Sequence, residues 1–163
     1  MKRNIVALTM MSLLICGISF SAAGQTHQHQ HMQAETAPPT KDVRQPVEFP
    51  PRLLEHELAN MRDHLSTLSQ IQTALSNGAT GEASSLAERR LGMSSFELHG
   101  AHEVAKYMPD GMQEIGTEMH RAASRFALEA ASAGATGDIR PALAALAKVT
   151  QQCVACHAAY RLK

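Results

Sequence analysis

Downstream of a proline-rich stretch ending at Pro51, apolar residues recur at steps of three and four. Leu54, Leu58, Met61, Leu65, Leu68 and Leu75 form one such row, interrupted by Gln72, and predict a first helix with a single apolar face. Asn77-Gly78 is a helix stop signal. A second helix is predicted from about Glu82 to Tyr107, on Ala83, Ala87, Leu91, Ser94, Leu98, Ala101 and Ala105; Gly92 and Gly100 weaken it, with a bend or break near Gly92. Pro109 with Asp110 opens a third helix on the row Met112, Ile115, Met119, Ala122, Phe126 and Ala133, which Gly134 and Gly137 interrupt. Asp138 caps a last helix with Pro141 in its first turn, and Ile139, Leu143, Leu146, Val149, Cys153 and His157 make its buried stripe.

Composition agrees with this all-helical reading. Alanine and methionine are abundant, aromatics are 4% of the chain and tryptophan is absent, so neither a sheet core nor an aromatic binding face is favoured. Four amphipathic helices with short connections predict an all-α fold, an antiparallel four-helix bundle over 52–163. A core of alanines and methionines leaves space between helices that a flat, bulky group could fill.

The first residues read differently. Lys2 and Arg3 precede an apolar run from Ile5 to Phe20 and the small residues Ser21, Ala22, Ala23 and Gly24, which is the pattern of a secretory signal peptide over 1–24. The run is shorter than the ~20 residues of a spanning helix, so no membrane span is expected in the mature form, and Cys16 leaves with the signal. Residues 25–51 are rich in Gln, His, Pro and Thr without apolar periodicity and predict a disordered leader. Within it His27, His29 and His31, with Met32, could hold a soft or borderline metal ion; a solvated linker is the simpler reading, because such a segment lacks fixed ligand geometry.

Without Lys2 and Arg3 the chain keeps 13 basic and 15 acidic residues, a formal charge of −2, and nothing in this balance points to nucleic acid. Only Cys153 and Cys156 remain after the signal, and a disulfide between them would close too small a loop to restrain the unfolded chain much. In QQCVACHAAYRLK they form a Cys-Val-Ala-Cys-His pattern, that of c-type haem attachment: two thiols bond the porphyrin vinyl carbons and the adjacent imidazole binds iron. A thioredoxin-like redox pair would want a βα context, and a zinc site would want further ligands nearby. Export to the periplasm is consistent with haem attachment.

Because the motif stands at the carboxyl end, the stretch CVACHAAYR resembles the class II c-type cytochromes, cytochrome c′ and its low-spin six-coordinate relatives. The resemblance implies one haem c packed between the helices of a bundle, with Cys153 and Cys156 as thioether residues and His157 as proximal iron ligand. It further implies Met61, on the inward row of the first helix, as distal ligand, and Tyr160-Arg161 as the pair that follows the motif, Arg161 acting on a haem propionate or on the field around the proximal histidine. The function expected is single-electron transfer with periplasmic redox partner proteins, not enzymatic catalysis. Alternatives are a five-coordinate, gas-binding cytochrome c′ taking NO or CO, with Leu65 crowding an open site, and metal handling by the His-rich leader. His64 is a second candidate distal ligand. Peroxidase-like chemistry would need a distal acid-base histidine, for which His64, His99, His102 and His120 are available. A homodimer through the first helices is compatible with the family.

Overall fold

A computed structural model describes residues 41–163; the signal peptide and the His27–His31 tract lie outside the described residues. The described part is predominantly helical. In order it comprises β1 (Gln45–Val47), α1 (Pro51–Ser76), α2 (Thr80–Arg90), α3 (Ala101–Val104), α4 (Asp110–Thr136), α5 (Arg140–Ala159) and β2 (Tyr160–Leu162), with single 3-10 turns at Met93–Ser95 and Ala105–Tyr107.

The helix ends follow from local chemistry. At the end of α1 the N–H of Gly78, at φ +72°, donates to the Leu75 carbonyl and that of Ala79 to the Ala74 carbonyl. This pair of reversed bonds satisfies carbonyls that a helix end leaves open, and its left-handed residue favours glycine. Gly137, at φ +75°, ends α4 in a related way by donating to the Ala133 carbonyl. Gly134, expected to interrupt that helix, stays within it. A side-chain carbon there would lie 2.7 Å from the Thr80 hydroxyl, so its smallness serves the close approach of α2. Asp138, expected as the cap of α5, lies one residue ahead of the N-cap Ile139, its carboxylate accepting the Arg140 N–H at 3.0 Å.

The second predicted helix is replaced by α2, an irregular passage and the short α3. The chain breaks at Gly92, where an added side-chain carbon would fall 2.8 Å from the Glu88 carbonyl and closer still to its carboxylate. The Glu88 carboxylate in turn accepts from the Ser94 N–H and hydroxyl. The passage therefore has its own hydrogen-bond partners and does not need helical ones.

Two apolar clusters organise the packing. The larger joins α1, α2, α4 and α5 around Ile71, Leu91, Phe126, Leu146 and Val149, with alanines 83, 87, 122, 123, 127, 130, 133 and 142 allowing close approach. The smaller gathers Val47, Phe49, Val104 and Met112. It is closed by a two-stranded parallel ladder, Gln45 opposite Tyr160 and Val47 opposite Leu162. Val47 and Phe49 are 2% and 7% exposed, so packing begins ahead of the Arg52 boundary expected from composition; only two apolar side chains carry it, too few to make a periodic signal. No helix among the described residues is long and apolar enough to cross a membrane.

The predicted apolar rows need correction in detail. The buried positions of α1 are Asn60, Thr67, Ile71 and Ala74, one step around the helix from the leucine row. Leu65 is 70% exposed, and Leu143 and His157 also reach solvent. Leu58, Met61 and Leu65 turn toward a cavity, and Leu68 lines it while also packing against the larger cluster.

Candidate functional site

That cavity, about 580 Å³, lies between α1, the α2–α4 passage, α4 and the last turns of α5. Its volume is in the range of cofactor sites, and its wall surface is mostly apolar, with Leu58, Met61, Leu68, Met108, Met112 and Met119 among the residues that supply it. Cys153, Cys156 and His157 line it from α5. The spacing explains this: three and four residues apart on a helix share a face, so α5 brings all three to one wall.

The two cysteines are free thiols. Cys153 packs against the larger cluster and Cys156 against the smaller, so the pair straddles the seam between them. The Cys153 thiol approaches the Val149 carbonyl at 3.6 Å. Burial raises both thiols above their ordinary range, and for Cys156 the neighbouring Cys153 and Glu57 raise it further. This is the reverse of the thiolate activation that a redox-exchange pair requires. Burial likewise raises Glu57, on the α1 wall of the same cavity.

Beyond His157 the chain leaves the helix. Tyr160 is extended and enters the ladder, and its hydroxyl lies against Gly111 in the first turn of α4. Arg44, which the sequence pattern does not single out, donates to the His157 carbonyl at 3.4 Å; 113 residues separate the two, and no local pattern links them. Arg161 does not line the cavity; its guanidinium lies 3.5 Å from Asp42. Hydrogen bonds from the Arg44 side chain and N–H, with Arg161 adding charge, hold the Asp42 carboxyl at about 2.

Met61 lines the cavity from α1, as does His64 one turn along. Three of the four histidines noted in the sequence come together on this wall. Ring centroids are 4.5 Å apart for His64 and His99, 5.5 Å for His99 and His120, and 6.0 Å for His64 and His120. His102 also borders the cavity but is exposed. His120 could be placed on a helix face from the sequence; the convergence could not, since His99 sits in the irregular passage where helical spacing has no meaning.

Among the described residues, no group of three or more His, Cys, Asp or Glu side chains could hold a metal ion. Comparison with known proteins yields no match to a family model, a curated protein or a solved structure.

Proposed function

We propose that this chain is an exported c-type cytochrome, an antiparallel four-helix bundle with one covalent haem, that passes single electrons between periplasmic redox partner proteins. One observation carries the reading: two free thiols one helical turn apart, followed at once by a histidine, line an apolar cavity to which a facing helix contributes a methionine.

The donor set fits a haem. Cys153 and Cys156 would hold it through thioethers, His157 would offer an imidazole nitrogen to its iron, and Met61 would offer a thioether sulfur from α1. A haem bound there supplies an iron that changes oxidation state by one electron, and a His/Met pair raises its potential. The chain's own part is to hold the group and keep water from it. Leu58, Leu68, Met112 and Met119 supply the apolar wall, and a low dielectric around the iron tunes its potential. Both thiols are neutral and half-buried, so before attachment they do not act as solvent-exposed nucleophiles.

The absorption spectrum of the reduced protein, with and without carbon monoxide, tests the reading. A sharp low-spin α band that ignores the gas is expected, together with its loss in Met61→Ala. A broad high-spin spectrum that shifts at once on carbon monoxide would instead indicate a gas-binding protein with an open iron face. A low-spin band unchanged in Met61→Ala would remove that residue from the site.

A further inference from the structure

The carboxyl end of α5 falls within one turn of His157. Tyr160 donates its N–H to the Cys156 carbonyl and then turns extended into the ladder. The His157 carbonyl is therefore the first that the helix leaves without an intrahelical donor. An open last turn frays, and here the turn that would fray carries the histidine that lines the cavity beside the two thiols.

The missing donor comes from the other end of the described chain. The ladder sets Gln45 opposite Tyr160, so the preceding Arg44 lies beside the last residues of α5, and its Nη1 donates to the His157 carbonyl at 3.4 Å. Asp42 holds the rest of the guanidinium. Its carboxylate accepts from Nε at 2.9 Å, from Nη2 at 2.8 Å and from the Arg44 N–H at 3.1 Å. Such a fork fixes the plane of the guanidinium and aims the remaining nitrogen at α5. Nε of Arg161 stands 3.5 Å from the Asp42 oxygen that Nη2 uses, so the carboxylate is gripped from both ends of the chain. The ladder beneath is anchored by the buried Val47, whose carbonyl accepts from the Lys163 N–H at 3.1 Å. A cation at this end of α5 also suits the helix dipole.

We propose that Arg44, oriented by Asp42, is a positioning residue for His157: it closes the last turn of α5 and keeps the imidazole on the face that Cys153 and Cys156 share. This role rests on the cytochrome reading and brings into it a segment that carries no motif. A thioether at Cys156 would fix the helix one residue ahead of His157, yet the residues after it stay free to turn when the last turn opens. Arg44 removes that freedom. A lysine cannot replace it, because a single ammonium does not hold a carboxylate in a fork and reach a carbonyl as well. The Arg44 and Asp42 side chains are 40% and 43% exposed, and exposed ion pairs add little to stability. The effect therefore falls on the geometry of the ligand and not on the melting temperature.

The test uses the full exported chain with haem attached, in the ferric form, where hyperfine-shifted proton resonances of the His157 ring report its orientation about the iron. Arg44→Gln should move these resonances and change the reduction potential. Asp42→Asn should move them in the same sense by less, and Arg44→Lys should restore only part of the change. Amides of the last turn, Cys156 to Tyr160, should exchange about tenfold faster in Arg44→Gln, as loss of one capping hydrogen bond implies. Lys163→Gln cuts the ion pair with Glu48 at the other end of the ladder and should leave the ring resonances in place, which a general loosening of the ladder would not. In the parent protein the Nη nitrogens of Arg44 should give separate, slowly exchanging signals, a readout that needs no variant. Ring resonances unmoved in haem-loaded Arg44→Gln would overturn the proposal, as would equal movement in Lys163→Gln or one averaged Nη signal in the parent; each of these leaves the cytochrome reading intact. A parent chain without haem would remove that reading, and the proposal with it, before any variant is made.

Discussion

The hydroxyl oxygen of Tyr160 lies 2.7 Å from the point where a side-chain carbon on Gly111 would stand. This contact ties the chain just beyond the Cys-Val-Ala-Cys-His motif to the first turn of α4, and it joins the motif's helix to the smaller apolar cluster. Helix propensity alone makes Gly111→Ala stabilising by about 0.5–1 kcal/mol. The contact opposes this gain: the Tyr160 hydroxyl has to move, and because it is the far end of a half-buried side chain the offset is expected to cancel the gain and leave the stability of Gly111→Ala near that of the parent. Tyr160→Phe added to Gly111→Ala should recover most of the gain. Thermal unfolding of the four proteins in this cycle measures the coupling, and a Gly111→Ala gain that is the same with and without Tyr160→Phe would show that the two residues do not meet.

The amino-terminal limit of the packed unit is the next expectation. Val47 and Phe49 are buried against Met112 and Val104, and burying each such side chain is worth about 1.5–3 kcal/mol. A chain beginning at Lys41 should melt like the mature protein, whereas one beginning at Pro50 should melt well below it. Equal melting temperatures for the two would mean that the β1–β2 ladder adds nothing.

Acid should weaken the protein in a way that reports the cluster of His64, His99 and His120. Burial, followed by the neighbouring imidazoles, lowers His64 and His99 to about 4, against about 6.5 in an unfolded chain. Between these values the unfolded state binds more protons than the folded state, so stability is complete above about pH 6.5 and falls as pH drops toward 4. Urea unfolding midpoints across this range should decline, and His64→Gln/His99→Gln should flatten the decline. An identical slope in the double variant would assign acid sensitivity to other groups.

How much of this is legible in the sequence differs from element to element. The ends of α1 and α4 can be read from Gly78 and Gly137, because only a left-handed residue completes those turns, and the motif on α5 can be read because its chemistry is local. The leucine row of α1 is visible as a pattern but only partly a core: Leu54, Leu68 and Leu75 pack against the two clusters, whereas Leu58, Met61 and Leu65 face the cavity. A stripe facing a cavity has the same period as one facing a packed neighbour, and only tertiary structure places Ile71 and Ala74 inside and Leu65 outside. The reach of Arg44 to the His157 carbonyl and the meeting of His64, His99 and His120 depend on how distant segments fold together. No periodicity in the chain encodes either.

The most direct measurement of the central claim is the intact mass of the exported protein made with a working cytochrome-maturation system, read beside haem staining on a denaturing gel. The account predicts a mass increased by one haem, stain that follows the polypeptide, and modification confined to the peptide carrying Cys153 and Cys156; Cys153→Ala/Cys156→Ala should abolish all three. A colourless mature chain of unmodified mass, with both thiols still free to alkylate, would contradict it.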